Sequence, residues 1–313
     1  MSKLTTDKII CNSCGHEFEA DVFSSVNADL DPELRKKYLS LYNDIYIFEC
    51  PHCKKRTYMA YPILYHDMTH KFMVQSGYLA YIYRELYNVL HYESNDENIK
   101  MMKEMQKDYI YAGATSPIEA KEKVVALEND LDPRLVAIYR YYEKRNYNDY
   151  AKENGKKLCR EAHLNYDEEG KLAFILDVYD EETGNGAYLY DYFSMERYEE
   201  FEDGFGHFIV QASGFLFNDY SVVNFMNWCK QGCKKEDAVP QSFAVIMDED
   251  NDNYYALVSP NDDFENEEIV DVHLENGVKE GQVVAICDYS KMEAPFDFDK
   301  ACEISITKKA YEQ

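Results

Sequence analysis

Four cysteines stand in two pairs of equal spacing, Cys11-Asn12-Ser13-Cys14 and Cys50-Pro51-His52-Cys53. Two C-x-x-C pairs can supply four thiolates to one tetrahedral zinc ion. Such a set is closed. It leaves no position for water or substrate, so it stabilises a fold and performs no chemistry. A dithiol redox pair would need one C-x-x-C at a helix N-terminus, and both pairs here read as lying between strands. A second group is His66, Asp67 and His70. If Asp67 opens a helix, the two imidazoles lie four apart and share a face with a carboxylate. That would be a small metal or acid–base site for a hydrolase. The structural alternative makes Asp67 a helix cap, His66 a partner of backbone or of a cysteine sulfur, and His70 an exposed residue. Asp248 to Asn253 imitates the start of a calcium loop, but Asn253 replaces the turn glycine and Ser259 the bidentate glutamate. A solvated hairpin turn is the expectation there. No phosphate loop, dinucleotide fingerprint or nucleophile elbow occurs, and no catalytic residue is assigned.

These groups need elements to hold them. Gly15 suits a knuckle that turns with positive φ. His16 to Val22 alternates as a strand, and Asp31-Pro32 starts a helix running to about Tyr42. Ile45–Glu49 and Thr57–Ile63 read as strands into and out of the second knuckle. From Thr69 the period turns helical. Leu79, Ile82, Leu86 and Leu90 mark a helix over Gly77–Tyr92, and Met101, Met105 and Tyr109 one over Asn98–Ala112. Ser116-Pro117-Ile118-Glu119 is a capping box, and Asp132-Pro133 begins the next helix. Strands follow at Leu158–Tyr166, Lys171–Tyr179 and Ala187–Tyr192, then a short helix from Ser194 to about Phe201 and another over Tyr220–Gln231. Beyond Pro240 come five short strands, with an Asn276-Gly277 turn between two of them.

The expected class is α+β. An N-terminal zinc ribbon with an inserted helix covers 1–68, a helical part 69–150, a mixed α/β region 151–233, and a small acidic β-barrel-like domain 234–313. Residues 9–145 resemble the CpXC domain family, named for a Cys-Pro-x-Cys motif. Cys50-Pro51-His52-Cys53 carries that motif. Ser25-Val26-Asn27-Ala28-Asp29, Pro62 to Asp67, and Lys121 to Leu135 with Leu131-Asp132-Pro133 are similar to the family as well. Residues 160–232 and the C-terminal strands resemble its longer members more loosely. The first knuckle departs from the pattern, with Asn12 where a proline would be unsurprising. The resemblance implies the fold and a structural zinc held by Cys11, Cys14, Cys50 and Cys53. It implies no reaction.

The net charge of −26 limits the partners. Nucleic-acid binding rests on neutralising phosphates, and the strongly acidic part beyond residue 68 opposes it. Lys54-Lys55-Arg56 is the one basic run in the near-neutral N-terminal part, so nucleic-acid binding through the ribbon is the weaker alternative. The expectation is a binding or adaptor protein whose partners are proteins with basic surfaces. No apolar window approaches the roughly 20 residues that span a bilayer. Met1 to Cys11 lacks the apolar core of a secretory signal, so a cytoplasmic location is expected. The five other cysteines are then reduced and expected to pack as small hydrophobes.

Overall fold

A computed structural model describes residues 2–40, 44–87, 97–105, 107–179, 186–259 and 262–309. It is an α+β protein with four sheets among the described residues. The chain divides into two compact units that interleave along it, whereas the sequence reading divides it consecutively. One unit comprises Met1–Gly77 and Met105–Ile209, the other Tyr78–Glu104 and Val210–Gln313.

The first unit starts with an antiparallel hairpin, β1 (Lys3–Ile10) and β2 (Glu17–Asn27). Asp31 then caps the Pro32–Leu39 helix, its carboxylate accepting the Leu34 N–H at 3.2 Å. The expected end of that helix near Asn43 lies outside the described residues. Strands β3 (Ile47–Glu49) and β4 (Arg56–Tyr58) form a separate two-stranded hairpin. Next come β5 (Ile63–Asp67) and β6 (Phe72–Ser76), and later β7 (Ile110–Ala114). With the first hairpin they build a five-stranded sheet in the order β1-β2-β5-β6-β7. The β2–β5 and β6–β7 pairs are parallel.

Two sequence expectations fail here. The turn after Asp67 leads into a strand, not a helix. All five residues of β6 are buried, and a strand buried on both sides shows no alternation to read. The Asn98–Ala112 helix is really Glu97–Met105, and the rest of the span contributes β7. Its four-residue spacing through Tyr109 is local, while the pairing of β7 with β6 comes from 38 positions earlier along the chain (Phe72↔Ile110). The Gly77–Tyr92 helix begins as Leu79–Ile82 and continues as a wider turn over Tyr83–Tyr87, in the second unit. Its expected tail, with Leu90, lies outside the described residues.

The Pro117–Glu128 helix is the centre of the first unit. Ser116 accepts the Glu119 N–H at 3.1 Å, and Glu119 accepts back from the Thr115 N–H at 2.8 Å. The helix packs against β6, β7, β8 (Leu158–Tyr166) and the Pro133–Glu153 helix. Every residue from Ala120 to Leu127 is buried, three charges included. Lys121 Nζ donates to the Ser40 carbonyl and Lys123 Nζ to the Gly113 carbonyl, each at 2.6 Å. Glu122 accepts the Leu164 N–H at 2.9 Å and pairs with Arg140 at 3.1 Å. Burying a charge is tolerable only with such partners. Strand β8 leads into β9 (Leu172–Tyr179) and β10 (Gly186–Tyr192), an antiparallel meander in the order β10-β9-β8. The helix after it runs Met195–Ile209, longer than its sequence suggests, because Gly204 and Gly206 lie inside it.

In the second unit, Asn218 caps the Asp219–Lys230 helix in a reciprocal box with Ser221. Strands β11 (Gln241–Asp248), β12 (Asn253–Leu257), β13 (Ile269–Leu274), β14 (Gly277–Tyr289) and β15 (Ser305–Lys308) follow. The expected barrel does not close. Among the described residues the sheet is open in the order β12-β11-β14-β13-β15, and its edge strands β12 and β15 approach without pairing. Closure needs edge strands long enough to tilt and pair. Here they have 5 and 4 residues, and the Phe298–Glu303 helix packs on β12. The Asp248–Asn253 stretch is the expected hairpin turn, with Asn251 at φ 64° and the Asp248 carboxylate accepting the Asp250 and Asp252 N–H groups. Cys302 is exposed on its short helix, against expectation, while Cys159 and Cys287 are buried.

Candidate metal centre

The tips of the β1–β2 and β3–β4 hairpins are the two cysteine knuckles, and they follow one backbone pattern. In the first, the Cys11 N–H donates to the His16 carbonyl at 2.9 Å and the Gly15 N–H to the Cys11 carbonyl at 2.8 Å. In the second, the Cys50 N–H donates to the Lys55 carbonyl at 3.0 Å and the Lys54 N–H to the Cys50 carbonyl at 2.9 Å. The residue four after each leading cysteine is left-handed, Gly15 at φ 71° and Lys54 at φ 60°. Glycine takes that conformation freely, whereas lysine takes it at a cost of about 1 kcal/mol.

The matched turns bring the four thiols together. Cys11 and Cys53 sulfurs lie 3.6 Å apart, Cys14 and Cys50 sulfurs 3.8 Å, and all four fall within 4.8 Å of one another. A disulfide needs about 2.05 Å. Thiolates about 2.3 Å from a tetrahedral zinc stand about 3.8 Å from each other. The set therefore matches four ligands around one ion, and could hold a metal. Among the described residues it is the one cluster of three or more His, Cys, Asp or Glu side chains with metal-ligand proximity.

The protein also prepares the thiolates. The Ser13 N–H is the main influence on Cys11 and, with the Cys14 N–H, lowers its thiol to about 6 against the opposing effect of burial. The His16 N–H favours the thiolate of Cys14, but partial desolvation of the sulfur and its crowding by the Cys53, Cys11 and Cys50 thiols outweigh it and push that group up to about 12, although the residue as a whole is exposed. Four sulfurs this close cannot all ionise without a cation to offset them. Cys11 and Cys50 are buried, whereas Cys14 is exposed.

Asn12 now has a reason. Its N–H donates to the Thr57 hydroxyl at 2.8 Å and its side-chain amide to the Tyr58 carbonyl at 3.3 Å. These bonds tie the first knuckle to β4. A proline at position 12 has no N–H and could not make the first of them. The sequence reading also missed a ring contact across the knuckles, where His16 stacks on His52 with centroids 5.2 Å apart. Only the adjacency of each to its knuckle hinted at it.

His66, Asp67 and His70 do not form a common site. His66 and Asp67 are consecutive on β5, so their side chains leave opposite faces. Asp67 is buried on the Tyr65 side, and its carboxylate accepts the His70 N–H at 2.8 Å while bonding His70 Nδ1 at 2.9 Å. That bond raises the His70 pKa. His66 meets the Tyr109 hydroxyl at 3.4 Å, and burial lowers its pKa. Asp67 caps a β-turn in place of a helix and His70 is exposed, as the structural alternative has it, whereas His66 meets a tyrosine hydroxyl and not backbone or a cysteine sulfur. The hydrolase reading had no other support.

No curated relative and no solved structure matches the chain. Residues 9–140 match the family model described as CpXC protein. The match takes in both knuckles, the five-stranded sheet apart from most of β1, the central helix and the first part of the Pro133–Glu153 helix. With the Cys-Pro-x-Cys motif at one tip of a four-thiol cluster, the chain carries a CpXC domain over residues 9–140.

Proposed function

We propose that Cys11, Cys14, Cys50 and Cys53 hold one structural zinc ion, and that the protein is a cytoplasmic binding or adaptor protein for basic protein surfaces. The sulfur geometry carries the metal assignment, since separations of 3.6 and 3.8 Å fit a closed tetrahedron of thiolates. Soft all-sulfur sets of this shape suit zinc. The ion would supply a positive charge that keeps four thiolates together, and nothing catalytic. The adaptor reading is supported by the net charge of −26, which attracts basic partners over long range. Nine free thiols suit a reducing compartment.

Metal analysis of the purified protein tests the first part. One zinc per chain is expected, falling to near zero in Cys50→Ser. Well under one zinc in the parent protein, or unchanged folding in the variant, overturns it. For the second part, binding to basic partners weakens as salt is raised, and affinities indifferent to salt refute it.

A further inference from the structure

Away from the metal centre, the second unit holds two more cysteines together. Cys229 is the penultimate residue of the Asp219–Lys230 helix, and Cys233 stands four positions on, just past its end. The helix closes in a Schellman turn. Gly232 is left-handed at φ 83°, its N–H donates to the Cys229 carbonyl at 3.1 Å, and the Cys233 N–H reaches back to the Trp228 carbonyl at 3.0 Å. This closure folds the residue two past the cap back onto the last helical turn. Cys233 is itself left-handed at φ 54°, which a residue with a Cβ adopts only at a cost. The chain after it is pinned too. The Trp228 indole N–H donates to the Lys234 carbonyl at 2.8 Å, and the Met292 N–H to the Asp237 carbonyl at 3.0 Å. Main-chain and indole bonds therefore set the place of Cys233 without help from its sulfur.

The two thiols interact across this turn. Burial raises the Cys229 thiol to about 11, and the neighbouring Cys233 thiol adds to the rise through charge and hydrogen bonding. Both cysteines are free and partly exposed, so small reagents can reach them. Among the described residues no third His, Cys, Asp or Glu joins them at ligand distance, and two sulfurs alone do not complete a tetrahedral metal site. A disulfide needs only the two. It spans Cα atoms about 4.4–6.8 Å apart, and four residues of helix rise about 6 Å.

We propose that Cys229 and Cys233 are a redox modification site, a dithiol that low-molecular-weight disulfides convert reversibly into an intrachain disulfide. The Cys233 thiolate attacks one sulfur of the small disulfide RSSR, forms the mixed disulfide Cys233–S–SR and expels RS⁻. Cys229, whose thiol is protonated at neutral pH, reacts second. Its proton passes to solvent, its sulfur attacks Cys233 Sγ, and a second RS⁻ leaves. Two protein thiols are oxidised, one small disulfide is reduced to two thiols, and the two protons the protein releases are taken up by the two leaving thiolates. In a reducing compartment such a bond is transient and follows the thiol–disulfide balance. It would join the last turn of the helix to the segment that leads into β11.

The test treats the full chain, purified with zinc, with glutathione disulfide at neutral pH. Acid stops the exchange, free thiols are alkylated, and tryptic peptides are read by mass spectrometry. Trypsin cuts after Lys230, between the two cysteines, so the bond appears as Tyr198–Lys230 joined to Gln231–Lys234. That joined peptide is expected in most chains, and excess reduced glutathione should return both cysteines to thiols. In Cys229→Ser the second step is lost, so glutathione on Cys233 should accumulate to about tenfold or more above its level in the parent protein. Glutathione resting on both cysteines without the joined peptide overturns the proposal. So does a bond from either cysteine to a different one, or equal glutathione on Cys233 in parent and variant. Failure of both thiols to react in the folded parent protein overturns it as well.

Discussion

Replacing Arg35 by leucine should unpin the Pro32–Leu39 helix from the centre of the first unit. Glu128 is the last residue of the Pro117–Glu128 helix, where the axial dipole disfavours a negative charge. Its side chain is 3% exposed, and Arg35 grips both carboxylate oxygens, with Nε at 2.7 Å. The Tyr65 hydroxyl donates to it at 2.6 Å. Removing the guanidinium leaves a buried carboxylate with that hydroxyl as its main remaining donor. Breaking a fully buried pair costs about 3–5 kcal/mol. The Arg35 side chain is 33% exposed, so water partly replaces it, and about 2–3 kcal/mol is the better figure. In a unit of this size that corresponds to a melting temperature lower by roughly 5–10 °C. Urea unfolding of Arg35→Leu and of Arg35→Leu/Glu128→Gln at pH 7.5 measures this. The double variant should recover much of the loss, because it no longer buries an unpaired carboxylate. A double variant no better than the single refutes the reasoning.

Two further outcomes follow from local geometry. The Asp67 carboxylate raises the His70 pKa above 6.5. The imidazolium therefore adds stability that is fully present below about 6.5 and lost as pH rises through the folded value. His70→Ala should cost more at pH 5.5 than at pH 8.5 in matched denaturation curves, and the reverse order contradicts the pairing. Gly77 sits at φ 142°, and an added Cβ would lie 2.9 Å from Pro62 Cβ. Gly77→Ala should lose about 2 kcal/mol or more, because both backbone and ring must shift. Urea unfolding reads this, and a neutral effect would contradict the crowding.

The parts of this fold readable from sequence are those set by neighbours along the chain. The cysteine spacing, the Ser116 capping box, the Asp31-Pro32 helix start and the Asp/Glu/Gly turns that separate β8, β9 and β10 each encode their conformation within a few residues. The failures share the opposite property. Strand β6 is buried throughout and carries no period, and β7 is a strand because β6 lies beside it. The barrel expectation counted strands rightly but could not register that the edge strands are too short to close. At the metal centre the ligands were legible while their supports were not. The Asn12 bonds to Thr57 and Tyr58 depend on a hairpin 45 positions away bringing β4 alongside the first knuckle. His66 and Asp67 misled because adjacent residues diverge on a strand, a fact invisible until the strand is recognised.

The central helix has one more consequence. A helix buried all round has no greasy stripe to tell it which way to face, since any rotation about its axis would bury similar apolar surface. Lys121, Glu122 and Lys123 resolve that ambiguity. Consecutive helical residues point about 100° apart. These three side chains reach the Ser40 carbonyl, the Leu164 amide and the Gly113 carbonyl, on three different segments. They act as the teeth of a key. A rotation by one residue would withdraw every charged tip from its socket at once, so the costliest residues in the helix are those that leave it a single angle at which to sit.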